Sequence, residues 1–256
     1  MFTHAFFDLD GTIYVDGKLI PNIKNSLLKL KGTGTKIYYM TNNTSVSISK
    51  YYDKLEFLGL PVDESCVISP TVTLANWMKS KKIDRFYSVG TNDFIEELCA
   101  LTGAKHDSIE PEIVVVAFDS ELTYEKLQKA CGHVNNGIPW YITHVDLACP
   151  SGLGPIPDCG AIAKTVSSTT GIDYIDHFGK PSPMMVSLIK EISANSNHIL
   201  VAGDRTYTDA QIGVNLGAKT VLVCTGEFQS NFESPFKSSE VEVVSTLADF
   251  IQRELS

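Results

Sequence analysis

The sequence has no apolar run approaching the ~20 residues that carry a helix across a bilayer. Its opening Met1-Phe2-Thr3-His4-Ala5-Phe6-Phe7-Asp8 lacks the basic n-region and long apolar h-region of a secretory leader. A membrane-bound or exported chain is therefore not expected. Positive charge is scarce as well: 21 lysines and arginines against 30 aspartates and glutamates leave a formal net charge of −9. That balance argues against a nucleic-acid polymer as partner, because a phosphate backbone demands a basic face. The two densest basic stretches, Lys29 to Lys36 and Lys79 to Arg85, are short and read as solvated helix ends. Six cysteines (Cys66, Cys99, Cys131, Cys149, Cys159 and Cys224) form no Cys-x-x-Cys pair, and the histidines fall at no zinc-ligand spacing. Reduced, mostly buried thiols and a cytoplasmic location are the expectation.

What is present is ordinary globular matter. Hydrophobic residues make up 43% and charged residues 20% of the 256, enough for a sizeable core. The length suits one large α/β domain, or a core of roughly 150 residues carrying a smaller one. Short runs rich in β-branched and aromatic residues (Ala5-Phe6-Phe7, Lys36 to Met40, Ile199 to Ala202, Thr220 to Val223) alternate with helical periodicity. This is the pattern of repeated β-α units and a mainly parallel sheet. Each run is followed by small and polar residues: Asp8-Leu9-Asp10-Gly11-Thr12, Thr41-Asn42-Asn43, Gly203-Asp204-Arg205 and Cys224-Thr225-Gly226. Ligands of open α/β sheets bind at that end of the strands, so the four clusters are expected to converge on one crevice. The middle of the chain differs. Phe86 to Val89, Ile113 to Phe118 and Trp140 to Thr143 read as strands and Phe94 to Leu101 and Tyr124 to Asn135 as helices, without the acidic residues that close the flanking strands. Residues 83–176 therefore read as an inserted second domain, with 1–82 and 177–256 forming the core.

An acidic protein that handles anions must concentrate positive potential locally, through a metal ion, a lysine or helix N-termini. Asp8 and Asp10 stand two positions apart, on one side of an extended chain, where Gly11 lets it turn. They can supply the nucleophile and the proton donor that hydrolysis of a phosphate ester needs. A calcium loop is excluded, since it wants Gly at its sixth position and Glu at its twelfth, where Ile13 and Leu19 stand. Asp204 and Asp209 follow another apolar run, and Asp204 with Asp8 offers the hard oxygen ligands that magnesium takes. Lys180, beside Pro181, is a point charge suited to phosphate; it precedes Pro rather than Ser or Thr, so no Walker loop is present. Thr41, Asn42 and Asn43 bring a hydroxyl, amides and backbone N–H groups before a helical stretch, which suits phosphoryl oxygens and equally suits a helix cap. Gly152-Leu153-Gly154 makes no dinucleotide fingerprint, because Pro155-Ile156-Pro157 follows. Singly, each cluster has an ordinary structural explanation.

In this order and spacing the clusters resemble the motifs of the haloacid dehalogenase superfamily, and within it the capped subfamily IIA of NagD-like and p-nitrophenyl-phosphatase-like proteins. The resemblance covers nearly the whole chain. It implies a Rossmann-like three-layer α/β core with a parallel sheet and an inserted α/β cap of the C2 type. It further implies that Asp8 is the nucleophile, Asp10 the acid/base, and Thr41 and Lys180 the phosphoryl binders, with Asn42 and Asn43 beside them. Mg2+ would be held by Asp8, Asp204 and the backbone carbonyl of Asp10, while Asp209 orients metal-bound water or supports Lys180.

The partner implied is a small phosphorylated metabolite: a nucleoside monophosphate, a sugar phosphate, phosphoglycolate or pyridoxal phosphate, with p-nitrophenyl phosphate as an artificial substrate. The cap is expected to close over the site, to choose the substrate through His144 and Asp146, and to offer the face of a homodimer. The branch often carries Asn-Pro-Asp where this chain has His144-Val145-Asp146. Two other readings use the same fold: a phosphomutase or phosphotransferase in which a second substrate replaces water, and a non-catalytic regulatory protein. Intact Asp8, Asp10, Lys180 and Asp204 argue against the second.

Overall fold

The computed structural model describes residues 1–150, 154–229 and 231–256. Gly152 and Leu153, weighed above as part of a fingerprint, lie outside the described residues. The chain gathers into two compact units. One comprises Met1–Thr41, Ser49–Ile68 and Lys180–Ser256, the other Asn42–Ile48 and Ser69–Gly179.

The first unit is built on its apolar runs. His4–Asp8, buried at every residue, pairs in parallel with Lys36–Met40 on one side and Ile199–Gly203 on the other. Lys219–Val223 and Val241–Val244 extend the sheet beyond Ile199–Gly203, and Val67–Ile68 extends it beyond Lys36–Met40, all in parallel. Near-continuous β-branched and aromatic strands are what a sheet covered on both faces requires.

Successive side chains point to opposite layers. Phe6, Met40, Ile199 and Val201 pack with Met185, Ile189 and Ile212, from helices Pro183–Ile192 and Gln211–Leu216. On the opposite face Leu200 lies with Leu30, Phe250 and Ile251, from helices Ile23–Gly32 and Leu247–Glu254. This is the three-layer arrangement expected. Truncating a side chain such as Phe6 to alanine in such a layer costs roughly 3–5 kcal/mol. The strand order reverses at His4–Asp8, with Lys36–Met40 on one flank and Ile199–Gly203 on the other. The C-terminal end of this strand is thus the switch point at which α/β sheets hold ligands.

The second unit has its own parallel sheet, in the order Lys105–His106, Arg85–Val89, Ile113–Val116, Trp140–Ile142. Val89, Val114, Val116, Trp140 and Ile142 pack there with Ala130 and Val134 of helix Tyr124–Asn135 and with Cys159 and Ile162 of helix Cys159–Thr170. Residues 83–176 lie within this unit, which extends beyond them at both ends. Helix Pro70–Lys81 belongs to it because that helix packs on Asn92–Thr102, and the Trp77 ring lies 4.7 Å from Tyr141 and 5.3 Å from Phe178 between centroids. Lys79 and Lys81 fall in the last turn of that helix, and Lys29 and Lys31 in the last turn of Ile23–Gly32, where cations complement the helix dipole. Among the described residues no helix is long and apolar enough to cross a membrane, and all six cysteines are free thiols.

Candidate active site

Asp8 ends the central strand, and its Oδ1 accepts a hydrogen bond from Lys180 Nζ at 2.6 Å. The same ammonium donates to Asp209 Oδ1 at 2.6 Å, and the Thr12 hydroxyl donates to Asp8 Oδ2 at 3.4 Å. Lys180 and Asp209 are buried. Lys180 stands just before helix Pro183–Ile192, which Ser182 caps by accepting the Met185 N–H at 3.1 Å, with proline at its first position. Asp209 lies in a π-helical turn, Thr206–Ala210, where its Oδ2 accepts the Arg205 N–H at 3.1 Å. Single π turns recur at functional sites.

Asp204 follows the Ile199–Gly203 strand and is buried. Its Oδ2 accepts the Glu227 N–H at 2.6 Å, while its Oδ1 has no hydrogen-bond partner among the described residues. Gly11, at φ 90°, passes so close to that carboxylate that a Cβ there would collide with Asp204 Oδ2. The fourth cluster arrives at the same edge: Thr225 Oγ1 donates to the Gly11 carbonyl at 2.5 Å.

Carboxylate oxygens of Asp8, Asp204 and Asp209 lie within 4.8 Å of one another. Two of these three buried carboxylates, Asp8 and Asp209, bond the Lys180 ammonium, and Asp204 feels the charges of Arg205 and Lys180. Burial pushes the Asp8 carboxyl well above its ordinary range, and Lys180 reverses this only in part. Burial, reinforced by Asp209, lifts Asp204 to about 7. For Lys180 burial acts the other way, but Asp209 and Asp8 outweigh it, raise its proton affinity and keep it charged. The clustered negative charge and the Asp204 oxygen fit a hard divalent cation, which the group of Asp8, Asp204 and Asp209 could hold.

Asp10 is exposed as a residue, yet its carboxyl sits low enough among packed atoms for burial to raise its proton affinity, against the opposing pull of Lys54, Arg205 and Lys180. Its side chain stands outside the three-carboxylate group. Lys54 and Tyr14 were not foreseen from the sequence. Lys54 Nζ lies 3.6 Å from the centroid of the Tyr14 ring, and the backbone of Tyr14 closes the Asp10 loop by accepting the Gly11 N–H at 2.8 Å. Lys54 reads only as a polar position on helix Ile48–Phe57, since tertiary packing alone gives it a partner. For Tyr14 the available signal was its place just after the Asp8 to Thr12 turn.

Thr41 is buried at the end of the adjacent strand; its N–H donates to the Ile68 carbonyl at 3.0 Å and its hydroxyl lies 3.5 Å from Tyr51 Oη. The other predicted residues belong to the second unit. Asn42 Nδ2 donates to Asp146 Oδ2 at 2.8 Å, and Asn43 Oδ1 accepts the Ser45 N–H at 2.8 Å. His144 Nε2 pairs with Asp158 Oδ1 at 2.8 Å. The structure therefore brings Asp8, Lys180, Asp204 and Asp209 together, sets Asp10 and Thr41 at the same sheet edge, and gives Asn42, Asn43, His144 and Asp146 partners within their own unit.

Comparison with known proteins adds an independent finding. A model of haloacid dehalogenase-like hydrolases matches residues 5–102, and a HAD-hydrolase-like model matches residues 177–250. The chain is 27% identical over 245 residues to the 5'-nucleotidase YutF of Bacillus subtilis, covering 95% of each. It is 27% identical over 244 residues to a dihydroxyacetone phosphatase of Corynebacterium glutamicum, covering 94% of this chain and 88% of that one. Among solved structures, a 4-nitrophenylphosphatase of Thermotoga maritima matches with a TM-score of 0.90 and 31% identity over 98% of this chain and 97% of the other.

Proposed function

Because the chain belongs to the haloacid dehalogenase-like hydrolases, we propose that it hydrolyses small phosphate monoesters through a phosphoryl group carried transiently on Asp8. The observation that carries this reading is the 2.6 Å pairing of Asp8 with Lys180 inside a buried carboxylate cluster at the switch point of the sheet. An Asp8 oxygen attacks phosphorus, the bond from phosphorus to the ester oxygen breaks, and Asp10 gives that oxygen a proton. The raised proton affinity of Asp10 favours the protonated form this step needs. Asp10, now a carboxylate, takes a proton from water as the water displaces Asp8 from phosphorus, and inorganic phosphate leaves. Lys180 and Thr41 hold the phosphoryl oxygens, with the Asn42 and Asn43 segment beside them, and Asp209 holds Lys180. The divalent cation that such phosphatases generally use would be Mg2+ in this reading; Asp8, Asp204 and the Asp10 carbonyl would hold it, and it would supply positive charge against the phosphoryl oxygens.

The relatives are named for a nucleotide, dihydroxyacetone phosphate and nitrophenyl phosphate, and the substrate of this chain is placed among small esters of that kind. Choice among them falls to residues 83–176. Their unit is entered after Thr41 and again after Ile68, and the chain returns to the first unit at Ser49 and at Lys180, so that unit is joined covalently to the first next to both phosphoryl-holding residues. Six free thiols fit a reducing cytoplasm. Ile172 and Ile175, exposed on the second unit, are candidates for the face of a homodimer, which light scattering of the purified protein would check.

The deciding experiment is phosphate release from a panel of phosphorylated metabolites and p-nitrophenyl phosphate. Activity should vanish on chelation, return with Mg2+ and return far less with Ca2+. Release from none of the esters would refute the activity, and full turnover after exhaustive chelation would refute the cation.

A further inference from the structure

Just beyond strand Trp140–Ile142, Thr143, His144 and Asp146 are buried, and Asn42 and Asp158 are buried with them. Such groups are tolerated inside a protein only when hydrogen-bonded. His144 commits both ring nitrogens to neighbours: Nε2 to Asp158 Oδ1 at 2.8 Å and Nδ1 to Thr143 Oγ1 at 2.9 Å. Neither nitrogen is left for a ligand. Asp158 Oδ1 also accepts the Cys159 N–H at 2.6 Å and so caps helix Cys159–Thr170. Asp146 accepts from Asn42 through its side chain at 2.8 Å and from the Gly160 N–H through its carbonyl at 2.8 Å.

Two chain segments are fastened to this block. Asn42 is held by Asp146, and Thr44 Oγ1 lies 3.4 Å from Thr143 Oγ1 while accepting the Phe118 N–H at 3.2 Å. The Phe178 and Gly179 N–H groups both donate to the Thr143 carbonyl, at 3.2 and 2.6 Å. Gly179 runs so close that a Cβ would stand 2.6 Å from Asn42 Oδ1 and 2.8 Å from His144 Cβ. These are the segments that continue directly into Thr41 and Lys180.

We propose that Asn42, His144 and Asp146 are positioning residues. With the Thr143 carbonyl, which accepts the Gly179 N–H, they form a buried hydrogen-bonded clamp that holds Asn42 beside Gly179 and thereby sets the spacing of Thr41 and Lys180. The proposal rests on the reading of those two residues as the phosphoryl-holding groups. It reverses the sequence-based expectation that His144 and Asp146 meet the leaving group. A misplacement of about 1 Å can cost on the order of 10²-fold in rate, and a clamp defect would exact that loss from every ester alike.

The test is an exchange of the two partners, read as kcat and KM for p-nitrophenyl phosphate and for several sugar and nucleoside phosphates. Asn42→Asp alone sets carboxylate against carboxylate, and kcat should fall on the order of 10²-fold, by one common factor across the panel. Asn42→Asp with Asp146→Asn restores the bond with donor and acceptor reversed, and activity should recover at least about tenfold over the single variant. Circular dichroism and thermal melts report folding of each variant. A folded double variant as inactive as the single one overturns the clamp, as does a loss that differs more than about tenfold between esters. If Asn42→Asp does not fold, Asn42→Ser removes the bond without adding charge. A uniform loss then supports the clamp and an ester-selective loss overturns it. A wild type that releases phosphate from none of the esters fails at the earlier reading and takes the clamp's catalytic role with it.

Discussion

Replacing Asp204 by asparagine in cation-stripped protein should stabilise it at pH 8 and leave it almost unchanged at pH 4. The carboxyl titrates near its ordinary 3.8 in the unfolded chain and at about 7 in the folded one. Between those values the folded state binds more protons than the unfolded state, so the stability tied to this proton is complete below pH 4 and is lost as pH rises to 7. At about 1.4 kcal/mol per pH unit, the loss is on the order of 4 kcal/mol by pH 8. Asparagine carries no charge to desolvate, its amide oxygen can keep the bond from the Glu227 N–H, and its NH2 takes the place of the oxygen that has no partner. Denaturant titrations of both proteins at pH 4 and pH 8, with chelator present, measure the difference. A saturating divalent cation should invert the order at pH 8, since ligand that binds only the folded state stabilises it and the variant has lost one carboxylate ligand. An Asp204→Asn protein as destabilised at pH 8 as at pH 4 would mean that the Asp204 charge is already matched by the protein, and the clustered-charge argument for a cation would fall.

Asp8→Asn should reduce turnover roughly a thousandfold or more while keeping the fold, and beryllium fluoride should cease to trap an acyl-phosphate mimic. Near wild-type turnover would end the covalent mechanism. Lys180→Met leaves Asp8 and Asp209 buried without their shared ammonium and should cost about 3–5 kcal/mol near neutral pH, less in acid, where the Asp8 carboxyl, raised by burial, is protonated. Denaturant midpoints at two pH values test this, and a pH-independent loss would contradict it. Lys54→Met removes a charge that holds the Asp10 carboxyl down against the effect of burial, so the limb of the pH–rate profile that reports Asp10 should move to higher pH, and an acid shift would exclude the assignment.

Strands with a continuous apolar run were legible from the chain alone: Lys36–Met40 and helix Tyr124–Asn135 have the bounds the pattern indicates. Val241–Val244 was not. It is an edge strand interrupted by Glu242, whose ion pairs with Lys219 and Arg253 only the fold supplies. The early start of the second unit was equally hidden, because Trp77 meets Tyr141 and Phe178 through tertiary packing. At the site, Asp8, Thr41 and Asp204 were legible because each follows its own strand locally. The resemblance alone offered Asp209 as a support for Lys180, as one of two roles, because that contact, like the hold of Asp146 on Asn42, joins residues far apart in sequence and leaves no periodic trace.

The central position of the first strand has a consequence for how the chain is made. His4–Asp8 leaves the ribosome before Ile199–Gly203, the strand that pairs one of its two edges, and Ser69–Gly179 is synthesised between them as one uninterrupted stretch. Until that strand follows, the apolar edge is open, and nascent chains with unpaired edges are prone to aggregate. Closing it is a long-range event and therefore a slow one. The order of emergence also protects the charge cluster. Lys180 is translated before Asp204 and Asp209, so the counter-charge of Asp8 is available before the two further carboxylates arrive.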